Sequence, residues 1–216
     1  EFNKQIDASY IYKIRNAIVT FDGVVFNHYL LVKDSLHTIY DKKYYKIKYL
    51  LKNLIYKKKV LLNGSNYILT YNPWGTGYGH WITETLARIC MVKNYLPQGI
   101  LLLPENINRN MLSSLNVFNI KDICYIHENE YFVIPNLIMP TMPAPTGNYN
   151  ENLMKELRNI YLCYYGLDKI TPTKRIYMSR ERANKRKILN ETEIINILKR
   201  YDFEIIYVEE LTYEDQ

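Results

Sequence analysis

Short apolar runs separated by tight-turn signals occupy the N-terminal part of the chain. Asp22-Gly23 lies between the apolar runs 17–21 and 24–26, and Asn63-Gly64 lies between the runs 60–62 and 67–71. Asp-Gly and Asn-Gly supply the positive φ angles that two-residue hairpin turns require. The pattern therefore predicts two β-hairpins.

Between these two turns the spacing of apolar residues becomes helical. Residues 41–60 contain eight lysines and one acid, and the apolar residues at helical spacing are Ile47, Leu50, Leu51, Leu54 and Ile55. This pattern favours a helix with a charged outer face. An alternative stays open, in which the segment Lys42–Lys59 contacts an anionic membrane surface.

The middle of the chain predicts alternating helices and strands. A long helix is predicted over 79–96, then a strand at 100–103, a helix at 108–115, and strands at 123–126 and 131–134. Four prolines at 135, 140, 143 and 145, closed by Gly147, mark a connector. A helix over 151–165 and a second connector at 166–173 follow.

The segment 175–208 has the most regular pattern in the chain. A strand is predicted at 175–179, a basic loop at 180–189, a helix from Asn190, and a strand at 204–208. Asn190 is the expected N-cap of that helix, with Glu193 in the capping-box position. This βαβ unit is typical of the opening of a doubly wound nucleotide-binding domain.

The ends of the chain do not resemble natural termini. The first residue is Glu1 rather than Met, and Thr212 with Asp215 at its third position predicts one further helix that stops after a turn. We therefore expect truncation at both ends. The predicted fold is α/β, with an N-terminal domain over 1–150, a helix and connector over 151–173, and an incomplete Rossmann-like domain over 174–216.

Composition narrows the class of protein. The chain is 48% hydrophobic and 23% charged, which is typical of a globular protein. Its net charge of +6 suits anionic ligands without by itself indicating nucleic acid. Three isolated cysteines support neither a disulfide framework nor a thiolate zinc site, so we expect a reducing, cytoplasmic compartment. No apolar stretch is long enough to span a membrane, and no signal peptide is visible.

The first candidate site is the predicted helix that follows the glycine-rich loop 75–79. His80, Glu84 and Arg88 are spaced four residues apart and would form one polar stripe. His80 or Glu84 could deprotonate a hydroxyl. A structural alternative is a Glu84–Arg88 ion pair beside a capping or core histidine. The glycines do not match a dinucleotide-binding fingerprint.

The second candidate site is the basic loop 180–189. It carries five positive charges and one negative, leaves the carboxyl end of a strand and enters a capped helix. Guanidinium groups fit phosphate oxygens in a bidentate manner, and helix N-termini add backbone donors. Arg180 and Arg186, with Arg182 and Asn190, are therefore candidates to bind a donor diphosphate. The alternative is a solvated basic loop.

Two stretches of the chain carry a resemblance to a known family. They are YGHWITETLAR at 78–88, and RIYMSR at 175–180 followed by Ala183, Arg186 and Asn190-Glu191. They resemble the HW..E..PR helix and the R-Y-I-S-R…A…R…N-E segment of glycosyltransferase family 61, and 207–216 resembles the stretch that follows. This family includes bacterial capsular-polysaccharide, plant xylan-modifying and animal protein O-linked N-acetylglucosamine transferases. Ala87 replaces the usual proline, and the family's later donor motif would lie beyond Gln216.

The resemblance implies a specific chemistry. The expected enzyme has the GT-B architecture, binds its nucleotide-sugar donor mainly through the C-terminal domain, and inverts the transferred sugar without a metal or other cofactor. His80 and Glu84 would then face the acceptor glycan, and Arg180 and Arg186 the donor phosphates. We expect a role in bacterial capsular or surface polysaccharide synthesis, in the cytoplasm or at the inner face of the membrane.

Two other functions are compatible with the same residues. One is a carbohydrate- or nucleotide-binding module without catalysis, which would bind donor and transfer nothing. The other is a basic nucleic-acid-binding protein, which the loop disfavours because no aromatic residue is interleaved to stack bases.

Overall fold

A mixed β-sheet organises the first of two units in the computed structural model, which describes residues 8–36, 42–145 and 147–215. The units are residues 1–165 and 166–216. In the described part of the first unit, the strands are β1 Ile11–Thr20, β2 Val25–Asn27, β3 Leu30–Leu31, β4 Lys58–Leu61, β5 Asn66–Leu69, β6 Ile100–Pro104, β7 Asp122–Ile126 and β8 Glu130–Pro140.

Helices accompany this sheet. They are α1 Ile47–Tyr56; α2, which combines Tyr78–His80, Trp81–Leu86 and Ala87–Val92; α3 Arg109–Ser113; and α4 Glu151–Tyr164. Single 3₁₀ segments lie at Lys33–Ser35, Lys93–Gln98 and Ser114–Val117. Among the described residues, no helix combines the length and apolar character that crossing a membrane requires.

The strand order is β3-β2-β1-β8-β5-β6-β7, with β4 also paired to β8. Strands β4 and β5 run parallel to β8, and β5, β6 and β7 run parallel to one another. The pairs β1–β8, β1–β2 and β2–β3 are antiparallel. The predicted α/β class is therefore confirmed, with an antiparallel extension on one side of a parallel sheet.

The first predicted hairpin is confirmed. Val19 pairs with Val25 across the turn, and Gly23 has a φ of +77°. A Cβ at Gly23 would lie 2.9 Å from the Tyr71 ring, so both the backbone angle and the available space favour glycine.

The second predicted hairpin is wrong. β4 and β5 do not pair with each other but with successive parts of the same edge of β8, in the same direction. Asn63 Oδ1 accepts from the Ser65 amide at 3.0 Å, so this turn is closed by a side chain instead of by cross-strand bonds. The long strand β8 therefore offers both segments a common pairing edge.

The proline-rich stretch predicted as a connector begins inside β8 instead. Pro135 has no amide hydrogen, and it lies between the residues that pair with β4 and those that pair with β5. On the other edge, pairing with β1 is interrupted at Asn16, whose φ is +53°. Strand β8 can therefore continue through Pro135, because no residue of β1, β4 or β5 is paired with Pro135.

The parallel strands are covered on both faces by apolar side chains. Ile68, Leu101 and Leu103 face a core that includes Trp81, Leu86 and Ile89 of α2, Met111 of α3 and Leu157 of α4. Leu69 and Leu102 point the other way, into a core with residues of β1 and β8. The alternation places α2 firmly on one face of the sheet.

Helix α1 differs from the apolar face expected of it. Leu50 and Leu54 pack into a third core with Tyr44 and Tyr131, but Ile47, Leu51 and Ile55 lie on the solvent side. Buried Asn53 takes the remaining inner position and donates to the Tyr49 carbonyl at 2.9 Å. The predicted helix is confirmed, and its outer face carries the expected charge on exposed Lys48 and Lys52 together with these three apolar residues.

The predicted long helix also differs in detail. α2 begins at Tyr78, contains a π-helical turn over Trp81–Leu86 and ends at Val92. The 3₁₀ segment Lys93–Gln98 follows and contains Pro97, which cannot continue an α-helix.

The second unit contains the predicted βαβ arrangement. Strand β9 Arg175–Met178, helix α5 Glu191–Lys199 and strand β10 Phe203–Ile206 follow in order, with β9 and β10 parallel and Arg175 opposite Phe203. The Thr212 hydroxyl accepts from the Asp215 amide at 3.2 Å, as the predicted cap requires.

Candidate active site

The candidate site lies where two adjacent parallel strands end. Asn72 follows β5 and Met142 follows β8, and the Asn72 amide nitrogen lies 3.6 Å from the Met142 sulfur. The strands that follow β5 in sequence, β6 and β7, lie on its other side. Open α/β sheets bind ligands outside the carboxyl ends of their strands, at the point where neighbouring connections diverge.

A histidine–carboxylate pair occupies this position. His80 Nδ1 lies 2.7 Å from Glu84 Oε1, so the two residues predicted from their spacing are in direct contact. The His80 side chain is 32% exposed and that of Glu84 is 8% exposed. The pair therefore presents an imidazole to solvent with a buried carboxylate behind it.

Asn72 fixes the other oxygen of this carboxylate. Its Nδ2 donates to Glu84 Oε2 at 2.9 Å, and its Oδ1 accepts from the Trp74 amide at 2.8 Å. Asn72 is itself buried. Asn72 therefore fixes both the Glu84 carboxylate and the start of the glycine-rich loop. The sequence alone did not indicate this role, because Asn72 and Glu84 are separated by the whole of that loop.

Aromatic side chains surround the histidine. The rings of Trp74 and His80 meet edge to face, with centroids 5.4 Å apart. Trp74 and Tyr78 are both about half exposed. A Cβ at Gly77 would lie 3.4 Å from His80 Cδ2, so a small residue lets the loop approach the imidazole. Exposed aromatic faces beside polar groups are suited to sugar rings.

The π-helical turn contains Glu84. Such turns are rare and occur frequently at functional sites. The Trp81 indole donates to the Ser114 hydroxyl at 2.8 Å and is buried, which anchors the turn to the core. The carboxylate is thus carried by an element that is fixed on its inner side.

Arg88, the third residue of the predicted polar stripe, has a structural position. Its Nη2 and Nε donate to the Pro140 carbonyl at 2.6 and 3.1 Å, and the side chain is fully buried. Burial lowers the pKa of Arg88 to about 10, although nearby Glu84 opposes this effect. The guanidinium thus links α2 to the last residue of β8 and stabilises the helix that carries His80 and Glu84.

We expect Arg88→Ala to lower the free energy of unfolding by roughly 3 kcal/mol, because the Pro140 carbonyl would lose its charged donor. Urea denaturation of the full chain measures this. Arg158→Ala, which removes an exposed arginine, serves as the control. Equal stability of both variants would contradict the supporting role of Arg88.

The basic loop of the second unit is organised by Glu191. Its Oε1 accepts from the Arg180 amide at 2.8 Å and from the Tyr177 hydroxyl at 3.1 Å. The Arg180 side chain donates to the carbonyls of Lys185 and Arg186 at 2.8 and 3.0 Å. Tyr177, Arg180 and Glu191, which belong to one resemblance motif, therefore brace the loop together.

The other predicted donor-binding residues have different surroundings. Arg182 pairs with Glu210 and lies over the Tyr207 ring at 4.0 Å. Arg186 is exposed and has a φ of +57°, a backbone conformation that Arg180 stabilises through the Arg186 carbonyl. Phosphate binding by these residues stays a prediction.

The expected side-chain cap at Asn190 is wrong. Asn190 stands at the cap position, but its side chain makes no capping hydrogen bond and its backbone has φ −109° and ψ 35°. This conformation lacks the extended ψ with which a cap side chain reaches the first-turn amides. Glu191, the first residue of α5, bonds back to the loop instead.

Comparison with known proteins decides the family. The family model described as Glycosyltransferase 61 matches residues 78–216, which is well over half of the chain. The chain belongs to glycosyltransferase family 61. No curated protein is significantly similar to it in sequence.

The match covers both candidate regions of this family 61 chain. It begins at Tyr78, includes His80 and Glu84, and continues through the loop braced by Glu191. The predicted family and glycosyltransferase activity are confirmed. In the described residues of this family 61 chain, no three His, Cys, Asp or Glu side chains are grouped as metal ligands.

In the family 61 chain we expect Glu191→Gln to loosen the loop 180–189 at neutral pH. The Arg180 amide bond, aided by the Ser179 and Tyr177 hydroxyls, lowers the pKa of Glu191 against the effect of desolvation. A lowered carboxyl pKa gives stability that is present above the unfolded-state pKa and disappears as pH falls through the folded-state value.

Peptide-resolved hydrogen exchange measures this effect. Glu191→Gln should exchange faster over the loop than the wild type near neutral pH, and the difference should vanish in acid. Glu193→Gln, an exposed carboxylate in the same helical turn, is the matched control. Identical exchange of all three proteins would refute the bracing role.

Proposed function

We propose that this protein is an inverting, metal-independent glycosyltransferase. It moves a sugar from a nucleotide-sugar donor to a hydroxyl of a glycan acceptor during capsular or surface polysaccharide synthesis in bacteria. The proposal rests first on His80, which contacts the buried Glu84 carboxylate at 2.7 Å outside the ends of β5 and β8. Family membership supports the transfer of a sugar.

His80 is the proposed base. Its imidazole is more exposed than the Glu84 carboxylate, whose two oxygens contact His80 and Asn72. The acceptor hydroxyl attacks the anomeric carbon, its proton passes to the imidazole, and the bond from that carbon to the diphosphate oxygen breaks. The Glu84 carboxylate then stabilises the imidazolium, as a carboxylate beside a catalytic histidine does.

Arg186 is the proposed ligand of the leaving diphosphate. Its side chain is exposed on a loop that already holds Lys185 and Lys187, and Arg180 fixes the backbone beneath it. Positive charge placed in advance near the leaving phosphate lowers the barrier without further reorganisation. In this proposal residues 174–216 begin the Rossmann-like donor domain of a GT-B enzyme in the cytoplasm.

The stereochemistry of the product tests this mechanism. The full-length protein would be incubated with a nucleotide sugar and a glycan acceptor, and NMR would follow the anomeric configuration of the new linkage. A single inverted anomer, formed equally well with a chelator present, is expected. A retained configuration would exclude one-step displacement by the acceptor hydroxyl with His80 as the base, and donor binding without transfer would favour a non-catalytic module.

A further inference from the structure

The outer face of α1 carries an apolar ridge. Ile47, Leu51 and Ile55 are spaced four residues apart, and their exposed fractions are 66%, 45% and 67%. Together they form the α1 ridge. The opposite side of the helix already packs against the sheet through Leu50, so the ridge is not part of the core.

Lysines border this ridge. Lys48 and Lys52 are exposed on the same outer face, and residues 42–59 contain eight lysines and no acid. Lys58, after the end of the helix, pairs with Glu130 at 3.5 Å. The outer face of α1 therefore combines exposed apolar side chains with lysines and has no acidic residue of its own.

Exposed tyrosines mark the two ends of the helix. Tyr45 precedes α1 and Tyr56 is its last residue, and both side chains are exposed. Aromatic rings with a polar tip are favoured at the boundary between lipid headgroups and hydrocarbon. The α1 ridge, Lys48, Lys52 and Tyr56 thus occur on one ten-residue helix, and Tyr45 lies two residues before it.

We propose that α1 is a docking helix for the surface of an anionic phospholipid bilayer. The α1 ridge enters the boundary between headgroups and acyl chains, while Lys48 and Lys52 contact the phosphates. Amphipathic helices of this type lie in the membrane plane and combine apolar burial with attraction to anionic lipids. This inference is independent of the proposed transfer mechanism.

The charge pattern favours lipid over a second copy of the chain. Two copies packed ridge to ridge would bring the Lys48 and Lys52 side chains of both together, with no acid on the helix to offset them. Like charges at an interface oppose association. An anionic bilayer instead supplies the complementary charge along the whole helix.

Vesicle flotation with the full-length protein tests the proposal. Vesicles of phosphatidylcholine alone are compared with vesicles that also contain phosphatidylglycerol, at low and high salt. We expect binding only to the anionic vesicles, weakened by salt. Equal binding to both kinds of vesicle, or none to either, would overturn the proposal.

Variants locate the contact. Lys48→Gln/Lys52→Gln and Ile47→Gln/Leu51→Gln/Ile55→Gln should each weaken lipid binding by roughly 10-fold or more. Lys121→Gln/Lys169→Gln and Leu167→Gln/Ile170→Gln change exposed residues elsewhere and should bind like the wild type. Circular dichroism confirms that each variant is folded.

Two further outcomes would overturn the proposal. One is loss of binding in the control variants to the same extent as in the α1 variants. The other is a dimer, detected by analytical ultracentrifugation, that the triple α1 variant dissociates, because the ridge would then be a protein interface.

Discussion

His80→Ala is expected to lower kcat of the full-length enzyme by about 100-fold or more, the contribution typical of a general base. The variant removes the imidazole that contacts Glu84 Oε1 at 2.7 Å and leaves the buried carboxylate in place. Because the base acts in the transition state, the loss should appear in kcat rather than in KM. Initial rates over a range of acceptor concentrations separate the two.

Two further variants distinguish chemistry from folding. Added imidazole should restore part of the activity of His80→Ala but none to Glu84→Gln, in which the missing element is the charge. His127→Ala is the matched control, since His127 forms a second histidine–carboxylate contact in the same unit, with Glu105 at 2.5 Å, on an exposed surface. Full activity of both His80→Ala and Glu84→Gln would show that the base is another group.

Arg186→Ala is expected to lower kcat/KM for the donor by about 10- to 100-fold, which corresponds to one lost charge-assisted hydrogen bond. Arg186→Lys keeps the charge but not the planar fork, so an intermediate loss is expected. Nucleotide release measured over a range of donor concentrations gives kcat/KM for the wild type and both variants.

Arg200→Ala is the control for Arg186. It removes the same charge from the same unit, at the opposite end of α5, and should leave donor kinetics unchanged. Arg180→Ala should also weaken donor use, but with faster hydrogen exchange of the loop, because Arg180 holds the carbonyls of Lys185 and Arg186. Normal donor kinetics in Arg186→Ala would remove Arg186 from the proposed phosphate site.

The parts of the fold that follow from local pattern could be predicted from the sequence. The hairpin at Asp22-Gly23 and the βαβ unit over 175–206 depend on turn chemistry and on apolar periodicity within a few residues. The His80–Glu84 contact was also predictable, because residues four apart on a helix share a face.

The features that the sequence did not predict correctly depend on contacts between residues far apart in the chain. Asn63-Gly64 carries a strong turn signal, yet its flanking strands pair with β8, whose residues lie far along the chain. The roles of Asn72 and Glu191 were also not predicted, because each depends on a partner outside its own segment. The exposure of Ile47, Leu51 and Ile55 depends on how α1 rotates against the sheet, which apolar spacing alone does not determine.

The most direct test of the central claim is nucleotide release by the full-length protein across UDP-, GDP- and CMP-sugars, with acceptor present and with or without chelator. We expect release from one class of donor, unaffected by the chelator and strongly reduced in His80→Ala and Arg186→Ala. Release that requires an added metal ion, or that both variants retain in full, would contradict a metal-independent transfer that uses His80 and Arg186.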